Sequence, residues 1–175
     1  MIVPRLATAI AAAMLFASAA NAQDDRGSGK NVVQAFERFC LVAPATIEGA
    51  AAAARTSGWR EAAFPADFRT KADTKQAFTG SIDGREFELV LTRDGSARRF
   101  GTTCLLRAVA KERFYPYFDE FRAAIGRAGL RGRETDVPHF FRASGKLFDG
   151  RMAESILSTR FPAGRTNYTA LQVTY

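Results

Sequence analysis

Histidine is almost missing from this chain, with His139 the only one, and cysteine occurs only twice, at Cys40 and Cys104. A zinc site would therefore have to rely on carboxylates, a ligand set that zinc seldom uses alone. No G-x-S-x-G elbow, P-loop, G-x-G-x-x-G, H-E-x-x-H or C-x-x-C occurs, so the common nucleophile, phosphate, dinucleotide, metalloprotease and thiol-redox signatures are absent. The sequence names no catalytic residue, no metal site and no cofactor. Beyond the first residues, no apolar run is long enough to span a bilayer.

The N-terminus is the clearest segment. A basic n-region ends at Arg5, an apolar stretch runs from Leu6 to Ala20, and Ala20-Asn21-Ala22 follows with small residues at both positions that a signal peptidase reads. Residues 1–22 are expected to be a signal peptide cleaved before Gln23, which sends the protein to the periplasm or the medium with no transmembrane segment in its mature form. Residues 23–30 hold several turn formers and no large apolar side chain, and are expected to form a flexible tail. Residues 31–175 have the size of a single domain.

In an oxidising compartment, Cys40 and Cys104 admit one intramolecular bridge. The alternative is a pair of free core thiols.

Helical spacing of Val32, Val33, Phe36, Phe39 and Cys40 predicts a first helix starting at Asn31 and ended by Pro44. Thr46 to Ser57 reads as an Ala-rich second helix, with Thr46 as N-cap and Gly58 as its stop. A third spans about Pro116 to Ala128 and is stopped by Gly129. Phe64, Pro65 and Phe68 show no period and read as a connection pinned by its aromatic rings.

The remainder alternates with period two. Asp83-Gly84 and Asp149-Gly150 are hairpin signals. Two three-stranded meanders are expected, over 75–82, 85–93 and 98–109, and over 139–148, 151–161 and 166–175. The fold class is therefore α+β, with an antiparallel sheet of about six strands and about three helices. Aligning Asp83-Gly84-Arg85 with Asp149-Gly150-Arg151 sets Glu88 on Glu154 and Val90 on Ile156. That match suggests a duplicated unit of one helix and three strands.

Net charge is +7, from 25 basic against 18 acidic residues, which favours anionic partners. Abundant arginine and alanine together also follow from a GC-rich coding sequence. Arg93, Arg98 and Arg99 mark the turn after the second strand, and Arg160 and Arg165 the turn after the fifth. These arginines form a candidate anion-binding patch if both tips lie at one edge of the sheet. Arg127, Arg131 and Arg133 are read as cations at the end of the third helix. His139 lacks any partner the sequence can name and is read as structural or superficial. An exported chain without a recognised binding motif is not expected to bind nucleic acid.

The signal peptide, the Phe36-x-x-Phe39-Cys40 helix, Gly58-Trp59 and the Cys104 strand together resemble small secreted proteins of unknown function from Gram-negative bacteria. That resemblance implies a Cys40–Cys104 bridge and no particular activity. The expected role is a binding module for an anionic envelope component or another exported protein. The alternatives are a hydrolase built on carboxylates or His139, and an inhibitor of an exported enzyme.

Overall fold

A computed structural model describes residues 24–42, 46–97, 100–109, 118–134, 140–147, 150–158 and 169–175. Residues 1–22, expected as a signal peptide, lie outside them.

Helix α1 (Asp24–Phe36) leads into a π-helical segment, Glu37–Val42. The helix begins at Asp24, not Asn31, so residues 24–30, expected as a tail, are its first turns. Propensity argued against this, because Gly27, Ser28 and Gly29 are weak helix formers. Packing decides instead, since Gly29 is buried. The π segment turns Phe39, Cys40 and Leu41 inward together.

Helix α2 (Ile47–Thr56) starts where its cap predicts, with the Thr46 hydroxyl accepting from the Gly49 N–H at 3.0 Å. It ends in a Schellman arrangement: Trp59 N–H donates to the Ala54 carbonyl and Gly58 N–H to that of Arg55, with Gly58 at φ +78°.

An antiparallel sheet follows: β1 (Arg60–Ala62), β2 (Thr74–Ile82), β3 (Arg85–Arg93) and β4 (Thr102–Ala108). Helix α3 (Phe118–Arg127) then precedes β5 (Leu130–Glu134), β6 (Phe140–Lys146), β7 (Met152–Ser158) and β8 (Ala170–Thr174). The spatial order is β1-β2-β3-β4-β8-β7-β6-β5, an 8-stranded sheet. The two strands beyond the expected six are β1 and β5. Each is short and lacks apolar alternation, so only pairing with β2 and β6 makes it a strand.

The halves meet at β4 and β8, where Leu105 faces Gln172, flanked by Cys104 opposite Val173 and Leu106 opposite Leu171. Around this centre, α2–β1–β2–β3–β4 and α3–β5–β6–β7–β8 follow the same course. Trp59 continues β1 opposite Gly80, as Leu130 faces Gly145. Each follows a positive-φ glycine, Gly58 or Gly129. Both facing glycines are steric requirements, because a Cβ on Gly80 would sit 2.4 Å from the Trp59 ring and one on Gly145 2.9 Å from the Gly129 carbonyl oxygen. Gly80→Ala should therefore cost about 1–3 kcal/mol of stability. A lowered urea midpoint, with shifted emission from Trp59, the only tryptophan, is the expected readout.

The helices cover one face of the sheet. Phe78, Phe87, Leu89, Leu91, Cys104, Leu106, Leu171 and Val173 form the core there with Phe36, Ile47 and Phe121. The disulfide Cys40–Cys104 fastens the π segment to the centre of β4, both cysteines being fully buried. Phe121 joins the two sides, with its ring 5.6 Å from that of Phe36 and 6.2 Å from that of Phe141.

Candidate anion-binding surface

The face of the sheet away from the helices is treated differently in the two halves. In the first, the connection 63–73 crosses it. Phe64 and Phe68, edge to face at 5.8 Å, pack over Val90, Leu105 and Ala170. Below them the strap is held by Arg107, whose side chain is only 7% exposed. Its guanidinium donates to both Asp67 oxygens at 2.8 and 2.9 Å and to Glu88 at 2.7 Å.

Burial opposes the charge on Arg107, but hydrogen bonds to Asp67 and Glu88 outweigh it and raise its pKa. The hydrogen bond from Arg107 holds the Asp67 carboxyl below the usual carboxylate range. Nothing local in the sequence marks this cluster. Its one signal is an arginine inside the otherwise apolar run Cys104-Leu105-Leu106-Arg107-Ala108.

In the second half the connection between β5 and β6 is the much shorter 135–139. At corresponding positions Ala77 gives way to Arg142 and Leu105 to Gln172, while Val90 and Ile156 are both β-branched and apolar. Register places Arg131 opposite Ser144, Arg133 opposite Arg142 and Lys146 opposite Met152 on this face. Arg131, Arg142, Ser144 and Lys146 are exposed. Arg142 donates to Glu154, and among the described residues Glu154 is the only carboxylate on this part of the face. Arg131 and Lys146 are the exposed cations left on this part of the face beside that pair.

Of the residues expected to bind anions, Arg93 alone is among the described ones. Arg93 is engaged, donating to both oxygens of Glu48 at 2.8 and 2.9 Å. Arg98, Arg99, Arg160 and Arg165 lie outside the described residues, as does His139. The strand ends that carry those turns are nevertheless placed. Thr102, where β4 starts, exchanges hydrogen bonds with Tyr175 just past the end of β8. At the other end, Ala108 donates to Thr169 just before β8 begins. In the antiparallel β4–β8 pair the two strand starts, Thr102 and Thr169, lie at opposite ends, about 20 Å apart at ~3.4 Å per residue.

The arginines after α3 also divide. Arg127 closes the helix and donates to both Glu37 oxygens at 3.0 and 2.8 Å, whereas Arg131 and Arg133 belong to β5. Sequence reading placed them at a helix terminus because nothing after Gly129 announced a strand. No helix among the described residues is long and apolar enough to cross a membrane. The chain matches no known protein family, no curated protein and no solved structure.

Proposed function

We propose that this protein is an exported, disulfide-braced binding module that engages a negatively charged partner through the outer face of β5, β6 and β7. The exposed Arg131, Arg142 and Lys146 on this face, with Glu154 the only carboxylate among its described residues, carry the reading. Export rests on the Ala20-Asn21-Ala22 cleavage signal, and the Cys40–Cys104 bridge supports an oxidising destination, either periplasm or medium. The two halves are one duplicated unit of a helix and four strands. After duplication the first copy had its outer face covered by the strap, and the second kept its face polar. Enzymatic readings draw less support, because Asp67 and Glu88, the carboxylates brought together on this side, are both committed to Arg107.

The test is titration with poly-L-glutamate and with phosphatidylglycerol vesicles at low and at physiological salt, where the Debye length falls to ~8 Å. Binding should weaken steeply as salt rises, and should drop in the Arg131→Ser/Arg133→Ser variant. Arg131→Ser alone should leave stability within roughly 0.5 kcal/mol, because its side chain is exposed. Affinity that ignores both salt and the double substitution would remove the basis for the reading. The Arg98→Ser/Arg99→Ser variant measures what those two arginines contribute.

A further inference from the structure

Among the described residues, the sheet ends in two edge strands that correspond across its centre, β1 and β5, and they are built differently. An edge strand presents a row of backbone N–H and C=O groups with no partner, which templates pairing with another chain unless the edge is short or blunted. Strand β1 is 3 residues long, and its Glu61 carboxylate lies 3.5 Å from the Arg55 guanidinium. Strand β5 is 5 residues long, with Arg131 and Arg133 at the positions facing the basic side.

Between them, Gly132 is exposed and adds no side chain on the opposite side. A Cβ there would lie 2.5 Å from the Phe141 ring and 2.7 Å from the Arg142 carbonyl oxygen. The strand is thus kept flat and tight against β6.

We infer that β5 accepts an extended acidic segment of a partner protein as an additional strand of the sheet. The inference deepens the anion-binding reading and rests on it. Main-chain hydrogen bonds to the free edge would supply sequence-tolerant affinity, and carboxylates on alternate residues would face Arg131 and Arg133. A second copy of this chain is the wrong occupant. Antiparallel self-pairing centred on Gly132 sets Arg131 against the partner's Arg133, so the arginines that deter self-association select for the opposite charge.

The probe is a short capped peptide alternating glutamate and threonine, followed by fluorescence anisotropy against the mature protein. A second peptide of the same sequence carries N-methyl groups on alternate residues, which removes one edge of donors and leaves every charge in place. The parent peptide should bind at least about tenfold more tightly than the N-methylated one, and about tenfold more tightly to the native protein than to Arg131→Glu. Arg131→Glu should in turn favour a lysine–threonine peptide. Hydrogen exchange should slow at β5 amides when the parent peptide binds.

Equal affinity for the two glutamate peptides would overturn strand addition while leaving the anion-binding reading intact. The same conclusion would follow from a peptide that binds without protecting β5. Poly-L-glutamate binding indifferent to salt and to Arg131→Ser/Arg133→Ser would instead defeat the underlying reading. If neither peptide binds, or if the protein dimerises through β5, the arginines serve only to blunt the edge and the inference fails.

Discussion

Replacing Cys40 and Cys104 together by alanine should lower the unfolding free energy by about 4 kcal/mol, the largest effect expected of any change in this protein. The bridge joins residues 64 apart in sequence, and in the chain-entropy treatment a loop of that size lies between the ~3 kcal/mol of a short loop and the ~4.7 kcal/mol of a very long one. Both cysteines are fully buried, so loss of packing adds to the cost. For a domain of this size the melting temperature should fall by roughly 10 °C. Urea unfolding of the native protein and the double variant is the measurement. A difference under about 1 kcal/mol would mean that the bridge does not brace the fold. Mass analysis of the native protein without reductant should show Gln23 as the first residue and no alkylatable thiol. Two alkylated cysteines would remove the bridge from the account.

The second large effect is expected at Arg107. Arg107→Met should cost about 3 kcal/mol, the low end for breaking a buried ion pair, because Asp67 is half exposed and can rehydrate while Glu88 is mostly covered. Adding Glu88→Gln should recover part of that loss by removing a carboxylate left without its partner.

Acid sensitivity supplies a second readout. The folded-state pKa of Asp67 is lowered by Arg107, so its contribution to stability is present above its unfolded value, ~3.9, and is lost as pH falls through the folded value. In Arg107→Met that acid-dependent component should shrink, and hydrogen exchange should quicken across 63–73. An unchanged exchange pattern would show that Phe64 and Phe68 hold the strap without the ion cluster. The cluster thus does for the first half of the outer face what no described residue does for the second.

Much of this architecture follows from local rules that a single sequence carries. Thr46 caps α2 because its hydroxyl reaches the Gly49 N–H three residues on. Gly58 and Gly129 end their helices because positive φ is available to glycine at little cost. Asp83-Gly84 makes the β2–β3 turn with both residues at positive φ, and the alternation of Phe87, Leu89 and Leu91 chooses the buried face of β3. Each depends on neighbours within a few residues. The bridge was legible for a different reason, since two cysteines leave only one pairing.

Tertiary structure alone decided the rest. Leu130 to Glu134 is a strand only because β6 lies beside it, and residues 24–30 are helical despite Gly27 and Gly29. Arg107 is buried only because a strap from forty residues earlier brings Asp67 onto it. The pairing of β4 with β8 joins segments distant in sequence, so no local pattern announces its antiparallel sense. That sense sets Thr102 and Thr169 at opposite ends of the pair, while the pairing of β5 with β6 brings Arg131 and Arg142 onto one face. Periodicity tells each strand which side to bury, while the partner it pairs with, and therefore which charges become neighbours, is settled by contacts between distant segments.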